Sequence, residues 1–350
     1  MKIALLLSGG VDSSVALSLL KDQGYDITAF YLKIWLEADL AFLGKCPWED
    51  DLKYASAVCN QLNVPLRIIN MQKQYWDHIV SYTISEVKHG KTPSPDIFCN
   101  KRIKFGAFFD EIAGEFDKVA TGHYAILQEE NGKFILKKAT DKFKDQTYFL
   151  SHLNQDQLSK ILFPIGHLKK QEIRELALKF ELVSAERKDS QGICFLGKIR
   201  FSDFIKYHLG VKNGDFVEFE SGKKIGEHEG FWYYTVGQRK GIGLSGGPWY
   251  VVAKDVQKNL VYISNKYFDK DKKRRDFYVS DFNWILGQRP EEFDLDVKIR
   301  HGEHFYKCRL EFLDNNEAKI VLDTDDQGLA PGQFAVFYKG DICLGCAKIK

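Results

Sequence analysis

Apolar positions in the first two hundred residues follow two alternating patterns. Short, nearly unbroken apolar runs read as buried strands: "KIALLLS" from Lys2, "DITAFYLKIW" from Asp26, "VPLRIIN" from Val64 and "DKVATGHYA" from Asp117. Between them, apolar residues recur with helical spacing in "SSVALSLLKDQG" from Ser13, "EDDLKYASAVCNQL" from Glu49 and "KQYWDHIVSYTISEVKHG" from Lys73. Gly24 and Gly90 supply helix stops. Two further helices are predicted near "NQDQLSKIL" and "KKQEIRELALKFE". Strands separated by helices imply a parallel sheet covered on both faces, with ligands at the carboxyl ends of its strands.

After about Phe201 the pattern shortens. "DFVEFE", "FWYYTV", "WYVVAKD", "LVYIS", "DLDVKIR", "YKCRLEF", "AKIVLD" and "QFAVFYKGDICLG" alternate with Gly, Asn and Asp turns. That is an all-β half, built as two small barrels or sandwiches. The run "DKDKKRRD" from Asp269 is the expected seam. The expected class is therefore α/β, a Rossmann-like parallel-sheet domain (residues 1–203), followed by two small β-barrel-like domains (204–272 and 273–350).

The chain has 350 residues, 44% of them hydrophobic, which suffices for more than one core. Its net charge of +2 argues against a wholly basic nucleic-acid coat but leaves room for local basic patches. No apolar run approaches the ~18 residues of a membrane span. "MKIALLLSGG" reads as a first strand rather than a signal peptide, so a cytoplasmic protein is expected. The seven cysteines are then thiols, and those of interest are catalytic or metal-bound.

"SGGVDSS" (Ser8 to Ser14) stands between the first strand and the first helix. It has the glycines of a phosphate loop but not the lysine of a Walker loop. Gly9 and Gly10 let an anion approach the backbone, and the helix start offers free N–H groups and a positive dipole end. With nothing reaching far, the anion is compact, such as pyrophosphate, which suits cleavage of ATP to AMP. Asp12 is placed to hold Mg²⁺ on those oxygens. The plain alternative is a tight strand-to-helix turn capped by Asp12 or Ser13.

Two cysteine stretches follow. In "GKTPSPDIFCNKRIKF" a proline-stiffened loop places Asp96 three residues before Cys99, where a helix begins among Asn100, Lys101, Arg102 and Lys104. A helix start and nearby cations favour a thiolate; a buried structural cysteine is the alternative. "KDSQGICFLG" holds Cys194 in a glycine-bounded segment. "CLGC" (Cys343 to Cys346) is half of a zinc site at most, and strand packing is the preferred reading.

These stretches, with "ATGHYA", "KDQTYFLS", "LFPIGHLKK", "YTVGQRKGIGLSGG" and "PGQFAVFYKGDICLG", resemble the tRNA-specific 2-thiouridylases over nearly the whole chain. The loop resembles the N-type ATP pyrophosphatase loop. The resemblance implies ATP-dependent thiolation of C2 of the wobble uridine, through base adenylation and a cysteine persulfide. It implies catalytic roles for Cys99, Cys194 and Asp96, the last as proton shuttle. ATP would lie on Leu6, Leu7, Ser8, Gly9, Gly10, Val11, Asp12 and Ser13, framed by Leu32 and Gly122. Ser94, Pro95 and Asp96 would face the target base, with Ser94 where the family usually has asparagine. His123, Lys144, Asp145, Gln146, Arg300, His301 and Gln333 would touch tRNA. ATP and Mg²⁺ are the expected cofactors, with tRNA and a sulfur-donor relay protein as partners of a monomer. An iron–sulfur cluster on Asp96, Cys99 and Cys194 is the less favoured alternative, because clusters are normally held by cysteines. From the residues alone two other readings stay open: an amide-forming ligase that uses the same loop, and a non-catalytic RNA-binding module.

Overall fold

The computed structural model describes residues 1–34, 48–189, 199–313 and 316–350. Its first unit is a parallel five-stranded sheet of order β3-β2-β1-β4-β7. The strands are β1 (Lys2–Leu6), β2 (Asp26–Lys33), β3 (Leu66–Asn70), β4 (Lys118–Thr121) and β7 (Ile161–Leu162). Helix α1 (Val11–Asp22) follows β1, and α2 (Trp48–Leu62) leads to β3. Alternation along β1 sends Ile3, Leu5 and Leu7 into one core with Val15 and Leu17 of α1. Ala4 and Leu6 go to the opposite core, with Phe98, Cys99 and Ile103. The sheet is thus buried on both faces, which is why its strands read as continuous apolar runs.

Chain direction diverges at β1, which is flanked by β2 and β4. Leu6 pairs with Thr121 across that point, so the loops after β1 and β4 leave the sheet side by side.

Two sequence expectations change here. "NQDQLSKIL" forms only one helical turn, Gln155–Leu158, and its Ile161 and Leu162 add the edge strand β7 beside β4. A hairpin not expected from the apolar pattern also appears, β5 (Ile126–Glu130) and β6 (Lys133–Lys137). Asn131 (φ 51°) and Gly132 (φ 73°) turn it. Asn-Gly is the dipeptide such a turn selects, because both residues need positive φ.

The β half contains two sheets. The first has order β10-β11-β8-β9, from β8 (Gly214–Glu218), β9 (Lys224–His228), β10 (Tyr250–Asp255) and β11 (Leu260–Ser264). It closes over Phe216, Trp249, Val251 and Ile263. "FWYYTV", expected as a strand, starts as a 3₁₀ turn, Phe231–Tyr233. The backbone N–H of Phe231 donates to Asn259 Oδ1, and its ring fills the small core, so burial rather than pairing fixes this stretch.

The second sheet runs β12 (Arg274–Trp284), β15 (Ala318–Asp326), β14 (Tyr306–Phe312), β13 (Asp294–Lys298), β16 (Phe334–Lys339) and β17 (Ile342–Ile349). Pairing of β12 with β17 closes these six strands into a barrel. The β5–β6 hairpin of the first unit attaches to it at Ile342 and Lys137. Among the described residues no helix is long and apolar enough to cross a membrane.

Candidate nucleotide and thiol site

Ser8 to Gly10 turn sharply from β1 into α1. Gly9 has φ +76°, and a Cβ there would lie 2.3 Å from the Asp51 carbonyl oxygen of α2. The hydroxyls of Ser13 and Ser14 donate to the Gly10 carbonyl at 3.1 and 2.8 Å, and the Ser8 N–H donates to Ser13 Oγ at 3.3 Å. These bonds hold the turn from within. The first N–H groups of α1 are left for an anion.

The loop after β4 closes against it. Gly122 packs so tightly that a Cβ would meet Ser13 N at 2.8 Å. Tyr124 donates its hydroxyl to Asp12 Oδ1 at 2.7 Å. Burial first, then the Asp12 charge, pushes that phenol far above its ordinary range. His123 is buried, with Nδ1 2.7 Å from Thr121 Oγ1 and Nε2 3.4 Å from Lys104 Nζ. Burial and then Lys104 hold its imidazole well below the usual histidine range, so it is neutral.

Several cations surround the loop. Lys170 opens helix α5 (Lys170–Lys179; α3 is Ser81–Lys88 and α4 is Pro95–Phe98). Its Nζ lies 2.7 Å from Asp12 Oδ1 and 2.8 Å from Asp189 Oδ1. Asp189 also receives Lys144 at 2.6 Å and Arg174 at 2.7 Å. Burial would raise its carboxyl, but the hydrogen bonds from Lys144 and Lys170 prevail and bring it down to about 2. Arg187 donates to the Gly9 carbonyl at 2.9 Å and to Asp51 at 2.7 Å, bracing the loop from α2. Mg²⁺ binds through one or two carboxylates plus substrate phosphates, and Asp12 in the first turn of α1 fits that role. Leu32 lies in β2, two strands' breadth from β4, packed against the core that holds Leu6.

On the other face of the sheet, α4 delivers Cys99, which is 2% exposed. Pro95 at the first helical turn suits the entry, since its missing N–H would have no helical partner. A π-helical stretch then runs from Cys99 to Ala107, with Phe105 at non-helical angles. Such wide turns are rare and collect at functional positions. The Phe98 ring anchors the cysteine. It packs on Tyr82 at 4.5 Å, His152 at 5.5 Å and Phe334 at 5.7 Å, with the Arg102 guanidinium 4.1 Å above it. Ser94 donates its N–H to Tyr82 at 3.3 Å, and its own buried hydroxyl has no partner among the described residues. Lys101 meets His152 Nδ1 at 2.7 Å. Burial, then Lys101, lowers His152 to about 4, so the lysine is the donor. Asp96 is half-buried in α4. Cys194, and with it the expected thiol pair and any cluster that includes it, lies outside the described residues. Among the described residues no group of three or more His, Cys, Asp or Glu is arranged for a metal.

Three family models match the chain in succession. They are a "tRNA methyl transferase HUP domain" over residues 1–198, a "tRNA methyl transferase PRC-barrel domain" over 202–265, and an "Aminomethyltransferase beta-barrel domain" over 274–349. A tRNA-specific 2-thiouridylase MnmA 2 of Bacteroides fragilis strain YCH46 is 46% identical over 356 residues, covering 100% of both chains. The tRNA-specific 2-thiouridylase MnmA of Parabacteroides distasonis is also 46% identical, over 100% of this chain and 99% of its own. The chain belongs to the tRNA-specific 2-thiouridylase family. A solved 4-thiouridine synthetase–RNA complex with bound ATP has a TM-score of 0.36 at 16% identity, covering 60% of this chain and 50% of that one, a likeness too weak to bear on function.

Of the positions at which the resemblance to 2-thiouridylases implies tRNA contacts, Asp145 and His301 lie where the first unit meets the barrel, whereas Lys144 and Gln146 turn toward the nucleotide loop. Lys144 is paired with Asp189. Asp145 is 4% exposed, accepting from Ala139 N–H at 3.1 Å and Thr147 at 2.8 Å, with buried Lys298 of β13 at 3.8 Å. Gln146 accepts the Tyr124 N–H at 3.0 Å. Arg300 is ion-paired with Asp326 and donates to the Gly328 carbonyl at 3.1 Å. His301 lies against Phe149 at 4.5 Å. Gln333 precedes Phe334, its carbonyl accepting the Ile349 N–H at 2.8 Å. Lys170 and Arg187 are site residues that the sequence does not reveal, because nothing in "HLKKQEIRE" or "AERKD" marks a cation that will fold back onto a loop far away in sequence; Tyr124 lies in the quoted "ATGHYA", but its bond to Asp12 is set by the fold. Cys343 and Cys346 lie in β17 and are fully buried, and burial lifts the Cys346 thiol to about 12.

Proposed function

We propose that this chain is an ATP-dependent tRNA sulfurtransferase that makes 2-thiouridine at the wobble position. The match to tRNA-specific 2-thiouridylases over the full length of both chains carries the reading. The lysine-free anion loop at the switch point of the sheet supports it, as does Cys99, packed in the core on the other face of that sheet and followed in the chain by Lys101, Arg102 and Lys104.

ATP sits with its phosphates on the loop from Leu6 to Ser13, and the target uridine is flipped out of the anticodon loop toward Ser94, Pro95 and Asp96, as base chemistry requires. The C2 oxygen attacks the α-phosphorus. The bond to the β-phosphate oxygen breaks, pyrophosphate leaves, and the oxygen becomes part of a good leaving group, AMP. Asp12 would hold Mg²⁺, which would neutralise charge on the phosphates. A sulfur-donor protein loads Cys194 as a persulfide. Cys99 attacks the inner sulfur of that persulfide and expels hydrogen sulfide, which adds to C2, or it assists direct transfer of the outer sulfur. AMP departs, Cys99 and Cys194 are left as a disulfide, and an external thiol reductant resets them. Asp96, three residues before Cys99, moves the proton.

Single-turnover transfer tests this. Chain loaded with labelled persulfide is mixed with unmodified tRNA, with and without ATP, and iron is assayed in the same samples. Label enters tRNA only with ATP, and Cys99→Ser and Cys194→Ser each abolish it, without iron. ATP cleavage that survives in both variants with no label in tRNA would refute the reading in favour of a ligase.

A further inference from the structure

The loop after β1 lacks the lysine that a Walker loop extends to the β and γ phosphates. The fold brings one to the same place from elsewhere. Lys170 Nζ sits 2.7 Å from Asp12 Oδ1, in the first turn of α1, and its side chain is only 16% exposed. The residue is held at both ends, since its own backbone N–H donates to Asp141 Oδ2 at 2.8 Å, which fixes the start of α5. Its ammonium therefore projects from a rigid base to the anion-binding end of α1.

The pairing of charges at this cluster shows which cation can act. Asp189 is served by Lys144, Lys170 and Arg174 at 2.6, 2.8 and 2.7 Å. Lys144 and Arg174 alone can satisfy its two oxygens. Arg187 is occupied by Asp51 and the Gly9 carbonyl, behind the loop. Among these described cations, Lys170 can turn to a bound polyphosphate without stranding a carboxylate: Asp12 keeps the Tyr124 hydroxyl, and Asp189 keeps two partners.

We propose that Lys170 is the triphosphate-binding lysine of this site, supplied from α5 instead of from the loop. This rests on the reading of the loop as an ATP site. It predicts that Lys170 acts on the phosphates and not on the adenosine, the thiol chemistry or the RNA.

The test is equilibrium binding of ATP, inorganic pyrophosphate and AMP to the full chain in Mg²⁺, without tRNA. Lys170→Met should weaken ATP and pyrophosphate by about 10- to 100-fold, the factor carried by one charge-assisted hydrogen bond. AMP should bind as in wild type, and Lys170→Arg should restore part of the loss. A merely structural lysine would lower AMP in parallel, and that result overturns the proposal, as does unchanged ATP affinity. Should Lys170→Met fail to fold by circular dichroism, Lys170→Gln, which keeps a hydrogen-bonding head, replaces it with the same two outcomes. A wild-type chain that binds neither ATP nor pyrophosphate would overturn the ATP reading itself, and this proposal with it.

Discussion

Replacing Gly9 by alanine should disable the nucleotide loop. Two separate costs arise there. Gly9 has φ +76°, a conformation that disfavours any Cβ by ~1–2 kcal/mol. The new methyl would also stand 2.3 Å from the Asp51 carbonyl oxygen, against 3.4 Å for ordinary contact, so loop or helix must give way by about 1 Å. Its other neighbours, Ala55 N and the Arg187 guanidinium at 3.2 Å, leave no other way out. Forced overpacking of this kind adds ~1–3 kcal/mol. A 1 Å misplacement of a positioning element costs on the order of 100-fold in rate.

Gly24 separates the two costs. It has φ +78° but nothing within 4 Å of where a methyl would stand, so Gly24→Ala carries the backbone strain alone. Urea unfolding should show Gly24→Ala destabilised by the strain term only and Gly9→Ala by roughly twice that or more. tRNA-dependent pyrophosphate release should fall about 100-fold in Gly9→Ala and stay at wild-type level in Gly24→Ala. Equal activity of the two variants would refute the steric account of the loop.

Three more outcomes follow from the packing. Lowering pH from 6.5 to about 4 should reduce stability, because unfolded histidine takes a proton that buried His152 refuses until about 4; the slope is ~1.4 kcal/mol per pH unit per group, and pH-resolved urea unfolding of His152→Gln should show it flatter by one group. Phe334→Ala, which removes the ring 5.7 Å from Phe98, should cost ~3–5 kcal/mol and slow sulfur transfer while ATP affinity measured on the folded fraction is kept. Cys343 and Cys346, 1% and 0% exposed, should escape alkylation in native protein and react only on unfolding, as read by mass spectrometry; fast labelling of either would contradict their place in the barrel core.

The parallel sheet could be read from the sequence because each strand is buried on both faces and therefore reads as an apolar run. β7 could not, since two residues, Ile161 and Leu162, carry no period. Their pairing with Val119 and Ala120 is settled by tertiary contact. The β5–β6 hairpin was written in the Asn131-Gly132 turn, but its half-exposed faces leave no apolar run to mark it. Phe231 to Tyr233 carry strong strand propensity and still form a turn, because the Phe231 ring gains more in the core than its backbone would in a ladder. The loop itself was legible because its chemistry is local: glycines, hydroxyls and a helix start within seven residues. The cations around it were not, since Lys170 and Arg187 are ordinary surface residues until the fold returns them to Asp12 and Gly9.

The same distinction bears on the segment Lys144-Asp145-Gln146. Its three side chains point to three different parts of the molecule. Lys144 holds Asp189, beside the nucleotide loop. Asp145 faces Lys298 of the barrel, both groups almost wholly buried. Gln146 holds the backbone of Tyr124, whose hydroxyl orients Asp12. A carboxylate with 3% of its side chain exposed has little surface for RNA, whereas Lys144 and Arg300 keep 39% and 46%. In this structure Asp145 serves to hold its two neighbours and the barrel in one register. Removing its charge would leave Lys298 buried without its acid, a loss of ~3–5 kcal/mol for a broken buried pair. Asp145→Asn should therefore lower the unfolding free energy first, and tRNA affinity only through it. Lys144→Met should weaken RNA binding in a chain that still melts like wild type, and a melting loss as large as that of Asp145→Asn would place Lys144 in the framework too.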